Sequence, residues 1–127
     1  LPRAIRDVYK RQIQDVAEQC HIPKSKLRYY EKHGLLQNIQ RDRNNKRLYT
    51  DKDVEVIKLI LCFTNLNIPL KQIKVDIERI TSQTMTVDDI LLAHLKVLKA
   101  EREKIDYRIH AIEGELKDKQ LVTSNDN

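Results

Sequence analysis

Two clusters of residues between 24 and 49 could do chemistry on an anion. Lys24, Ser25, Arg28, Tyr29 and Lys32 fall within nine residues, and Arg41, Arg43, Lys46 and Arg47 fall within seven, with Tyr49 just beyond. A guanidinium presents a planar fork of donors, an ammonium a compact point charge, and a hydroxyl a donor short enough to reach a phosphate oxygen. This is the equipment for holding a phosphate backbone and reading base edges. Bond-making equipment is a different matter. No Ser/His/Asp set, pair of catalytic carboxylates or Gly-rich phosphate loop can be assembled from the chain, so an enzyme is not expected.

The first cluster needs a helix to present it. Leu27 and Tyr30 stand three apart and can share one buried face, which turns Arg28, Tyr29 and Lys32 outward. Gly34 supplies the positive φ that ends this helix, and Leu35-Leu36 can fold back over its last turn. Ile13, Val16 and Ala17 predict a short amphipathic helix before it, and Cys20-His21-Ile22-Pro23 a turn between the two. Two short helices joined this way read as helix-turn-helix. The second cluster lies in 37–49, which has no helical period. Asn44-Asn45 can take the left-handed conformations of a two-residue hairpin turn, so a small β-hairpin wing is expected with its four cations around the tip.

Beyond the wing, Thr50-Asp-Lys-Asp53 has the form of a capping box and opens a strongly apolar helix from Asp51 to about Leu66. Val54, Val56, Ile57, Ile60, Leu61 and Phe63 cover most of its circumference, which predicts the central core helix. Asn67 can take a left-handed stop, and Pro69 starts a further helix through Leu70, Ile73, Ile77 and Ile80. Thr86-Val-Asp-Asp89 then opens the longest periodic segment. Leu91, Leu98, Ile105 and Ile112 fall at heptad d positions, and Leu95, Arg102, Ile109 and Leu116 at a positions. A seam that long calls for a partner helix, most simply from a second copy. Arg102 would lower its stability and help to fix register.

The fold class read from these elements is mainly α. It has a winged helix-turn-helix head with a small β-hairpin wing, followed by a long C-terminal coiled-coil dimerisation helix. Residues 1–11 read as a fragment scar or flexible leader, 12–82 as the DNA-binding domain, 83–120 as the dimerisation helix and 121–127 as a disordered tail. Charge divides in the same way. Residues 1–60 carry 14 Lys/Arg against 8 Asp/Glu, and residues 61–127 carry 10 against 11. One end is built for an anion and the other is not. There is no run of 18 apolar residues and no signal-peptide pattern, so no membrane is expected and a cytoplasmic protein is. Two cysteines without a CxxC make neither a disulfide framework nor a zinc finger.

Taken in order, Leu27-Arg-Tyr-Tyr-Glu31, Gly34-Leu-Leu36, Arg47-Leu-Tyr49, Thr50-x-x-Asp53 and Ile68-Pro-Leu-x-x-Ile73 resemble the MerR family of bacterial transcription regulators. The resemblance covers roughly 12–80, and the long terminal helix fits in kind. It implies homodimers with winged heads joined through an antiparallel coiled coil. The helix holding Arg28 and Tyr29 would enter the major groove of double-stranded DNA, with the wing and Tyr49 side on the phosphate backbone. It further implies a pseudo-palindromic site between promoter elements spaced too far apart, and an effector that makes the dimer bend and untwist the DNA. RNA polymerase would then be an indirect partner. Six positions depart from the family pattern. Asn45 and Lys46 stand where Gly and Tyr are usual, Asn38-Ile-Gln40 replaces a Pro-x-Arg, Thr64 replaces a basic residue, and Asn67 replaces a Gly.

The same comparison bears on what could be sensed. Metal-sensing members carry cysteines at the start of the long helix and after it, where this chain has none, and Cys20 and His21 are adjacent and diverge. No metal or other cofactor is expected, and a cluster needing about four thiolates exceeds two cysteines. Cys62 resembles the single cysteine of an electrophile-responsive subgroup, a possible thiol sensor, although Leu61 and Phe63 beside it suggest an inert buried thiol. His94 falls beside the seam, and His33 and His110 read as solvated. No appended ligand-binding domain is expected after Gln120. The competing reading is a non-enzymatic coiled-coil interaction module with an incidental basic head.

Overall fold

In a computed structural model the described residues are 10–125, with side chains described for 10–120. They form three short strands and five helices: β1 (Arg11–Gln12), α1 (Ile13–Cys20), α2 (Lys24–Lys32), β2 (Gln40–Arg41), β3 (Arg47–Tyr49), α3 (Asp51–Asn65), α4 (Leu70–Thr81) and α5 (Val87–Asn125). The described residues divide into two compact units, with the boundary between Thr84 and Met85.

The first unit is a helix-turn-helix head with a β wing. α1 buries Val16 and Ala17, then stops at His21 (φ 56°), where the Ile22 amide donates to Ala17 O at 3.0 Å. Pro23 caps α2, which buries Leu27 and Tyr30, as their spacing predicts. Gly34 (φ 76°) turns the chain, and the Leu35 amide donates back to Tyr30 O at 2.9 Å, which folds Leu35 and Leu36 into the core. α3 places Val54, Ile57, Ile60 and Phe63 inward, one per turn, against Ile73 and Ile77 of α4. Its apolar residues are less evenly spread than expected: Val56 and Leu61 are only half-buried. The capping box at its start is formed in both directions, Asp53 N to Thr50 Oγ1 at 3.1 Å and Thr50 N to Asp53 Oδ2 at 2.9 Å. Thr50→Ala should therefore destabilise the head by about 1 kcal/mol in chemical denaturation, with the slope of the transition unchanged.

The wing departs from expectation in two ways. It is three-stranded, in the order β1-β3-β2, with Arg11 opposite Tyr49 and Arg41 opposite Arg47. Arg11, assigned to the leader, is thus part of the sheet and ion-pairs with Asp51; residues 1–9 lie outside the described residues. Its turn is also wider than a two-residue hairpin. Only Asn45 is left-handed (φ 62°), and Asp42 Oδ1 accepts from the amides of Asn44 and Lys46, both at 2.9 Å. An aspartate side chain, not an Asn-Asn pair, organises the tip.

The second unit is one helix. Thr86 and Asp89 form the expected capping box, each backbone-to-side-chain bond 3.1 Å long. α5 then runs 39 residues, roughly 58 Å at 1.5 Å per residue. It continues past Gln120 to Asn125, so residues 121–125, read as disordered tail, extend the helix; 126–127 lie outside the described residues. Along the seam Leu91 is half-buried, and from Leu95 onward the apolar members are between 45% (Leu95) and 61% (Ile112) exposed.

Candidate nucleic-acid interface

α2 is mounted by one face and offers the other. Leu27 and Tyr30 are fully or almost fully buried, so Lys24, Ser25, Arg28 and Lys32, spaced by threes and fours, form a continuous exposed row. Tyr29 is 45% exposed beside that row. Its ring stands 4.2 Å from His33 and 6.2 Å, edge-on, from Tyr30, so its position is set by neighbours on both sides. His33 is accordingly a packing partner as well as an exposed residue.

The wing cations fall into two groups. Arg43 and Lys46 are exposed at the turn and make no ion pair among the described residues. Arg41 and Arg47 are tied to Glu31 near the end of α2: Arg41 Nη2 to Oε1 at 3.2 Å and Arg47 Nε to Oε2 at 2.5 Å. Arg41 also donates to Asn45 O at 3.1 Å. Sequence reasoning missed Glu31 although it stands inside the leading motif, because its partners come together only once β2 and β3 pair.

Tyr49 lies deeper than a backbone-contacting residue should. It has no exposed surface, and burial pushes its hydroxyl above the ordinary tyrosine range, with the charges of Arg47, Glu31, Arg28 and Arg41 around it as smaller effects. Burial does the same to Tyr30. Both rings are core supports of the interface rather than part of its surface.

Cys62 departs from its expected environment. Cys62, read as buried between Leu61 and Phe63, is exposed, because Phe63 points into the core and a helix turns its neighbour about 100° away. Cys20 is half-buried, and desolvation raises its thiol pKa against a smaller opposing pull from Lys58. Lys58, one turn before Cys62 on the same helix, thus acts on Cys20. Thr64, standing where a basic residue was expected, bonds its own helix through Ile60 O at 2.8 Å. No group of three metal-ligating side chains exists among the described residues, and none of their helices is long and apolar enough to cross a membrane.

A cation-lined helix on a buried mount, followed by a basic β wing, defines a winged helix-turn-helix head of the DNA-binding kind. The MerR HTH family regulatory protein model matches residues 11–80, and the chain belongs to that family of non-enzymatic, DNA-binding transcriptional regulators. A Haemophilus influenzae protein described as an HTH-type transcriptional regulator is 33% identical over 93 residues. The match takes in 73% of this chain and 66% of that relative, so the chain spans about two thirds of its length. Among solved structures, HiNmlR, a MerR family regulator lacking the sensor domain and bound to promoter DNA, is 30% identical with a TM-score of 0.52, covering 85% of this chain and 79% of its own. MtaN, the N-terminus of the Bacillus subtilis multidrug transporter activator, is 25% identical with a TM-score of 0.67, covering 84% and 97%.

Proposed function

We propose that the protein acts as a homodimer on a pseudo-palindromic promoter site. In this reading 12–82 is the DNA-binding domain, and the helix beyond it pairs with that of a second copy as an antiparallel coiled coil through Leu91, Leu95, Leu98, Arg102, Ile105, Ile109, Ile112 and Leu116. α2 reads the major groove with Arg28, Tyr29 and Ser25, while Lys24, Lys32, Arg43 and Lys46 hold phosphates. Arg41 and Arg47 shape the wing, and Tyr49 supports it from beneath. The observation that carries this is the exposed row on α2, since a basic helix held rigidly by its opposite face is what a groove requires.

The dimer distorts the DNA between its half-sites, at a cost of a few kcal/mol that one bound or covalently attached effector can bias. Cys62, accessible on α3, is the thiol through which an electrophile would act. RNA polymerase then meets realigned promoter elements.

The test is a salt titration of binding to promoter fragments. Four backbone cations in each of two heads predict a slope of log K against log salt of about −7. A slope near zero would retire the nucleic-acid reading and leave the coiled-coil module.

A further inference from the structure

Arg41 and Arg47 are directly opposed across β2 and β3. Two guanidinium groups at such positions repel each other and splay the strands that carry them. In this head they do not face each other unaccompanied. Glu31 gives one carboxylate oxygen to each, Oε1 to Arg41 and Oε2 to Arg47, and the three side chains are only 24–35% exposed. Arg41 passes the connection on to the turn by donating to Asn45 O. Glu31 belongs to α2, one residue before its end. A single carboxylate therefore bridges a like-charge pair in the wing, offsets its repulsion and fastens the wing to the exposed helix.

We propose that Glu31 is a positioning residue for DNA recognition: it fixes the stance of the wing relative to α2, so that Arg43 and Lys46 meet the backbone while Arg28 meets the bases. The proposal rests on the DNA-binding reading. It also assigns Arg41 and Arg47 to holding the wing in place rather than to the backbone.

Simple electrostatics and positioning predict opposite signs for one substitution. Glu31→Gln removes a negative charge beside the interface, and the resulting gain of positive charge by itself tightens binding to DNA. As a positioning residue, Glu31 behaves otherwise. The glutamine carries no charge to hold the two arginines together, the wing loosens, and affinity for promoter DNA falls roughly tenfold in spite of the added positive charge. In an Arg41→Gln background the cross-strand repulsion is already gone. Glu31→Gln should then change affinity less than twofold, and this variant tests the coupling should Glu31→Gln alone fold poorly.

A DNA-free measurement separates this proposal from the reading it rests on. Amide hydrogen exchange in the free protein should accelerate at least tenfold across 41–47 in Glu31→Gln, with the amides of α3 unchanged. Unchanged exchange in the wing overturns the positioning role, whether or not the wild-type protein binds promoter DNA. Accelerated exchange with binding as tight as wild type, or tighter, overturns its part in recognition. Equal effects of Glu31→Gln with and without Arg41 overturn the proposed coupling.

Discussion

Replacing Arg28 with alanine should reduce affinity for the specific site at least a hundredfold while leaving binding to random DNA within a few-fold of wild type. Arg28 is exposed at the middle of the α2 row, between Ser25 and Lys32, and it makes no ion pair among the described residues. A guanidinium there can donate two parallel bonds to one base edge, worth about 1–3 kcal/mol of discrimination per contact, and a two-headed complex loses that contact twice. The head itself should keep its stability, since Leu27 and Tyr30, not Arg28, mount the helix. Arg28→Lys separates fork from charge: an ammonium restores attraction to the backbone but not bidentate recognition, so specific affinity should recover only slightly. Electrophoretic or anisotropy titrations against specific and scrambled duplexes decide the matter. If both duplexes lose affinity equally, Arg28 is a phosphate contact and base reading belongs elsewhere on α2.

What the sequence makes plain here is whatever is local. Leu27, Tyr30 and Gly34 lie within a few residues of one another, so the mount and the stop of α2 follow from spacing and from one residue's freedom at positive φ. The boxes Thr50–Asp53 and Thr86–Asp89 span a single turn and are equally direct. Errors begin where contacts become distant. Two residues, Arg11 and Gln12, are too few to show a strand period, and their partner lies beyond both helices, at Leu48 and Tyr49. Tyr49 looked like a surface aromatic because a three-residue strand does not reveal which face is buried. Glu31 went unnoticed because Arg41 and Arg47 reach it only once β2 and β3 pair. Cys62 was misjudged by its neighbours in sequence, although on a helix adjacent residues point in different directions.

Charging the seam should have the largest effect of all. Leu98 and Ile105 both occupy d positions and are 53% and 46% exposed on α5. Aspartate at both places would put two like-charged, strongly hydrated groups on each copy into what is proposed to be an apolar contact. Burying the exposed part of Leu95, Leu98, Ile105, Ile109, Ile112 and Leu116 on both copies is worth on the order of 10 kcal/mol, before the cost of association is subtracted. Losing two of the six and desolvating four carboxylates removes most of that margin, so light scattering should report a monomer at micromolar concentration. Linking two heads raises affinity for a two-half-site duplex by roughly a hundred- to ten-thousandfold, and the monomer should forfeit that gain while still binding a single half-site weakly. The buried head residues from Val16 to Ile77 are untouched, so a retained unfolding transition for the head would confirm that the change acts on assembly and not on folding. A double variant that stays dimeric would mean the seam is not the interface. A monomer that still holds the full site as tightly as wild type would mean that recognition never required two heads, and that the specificity carried by α2 and the wing is sufficient alone.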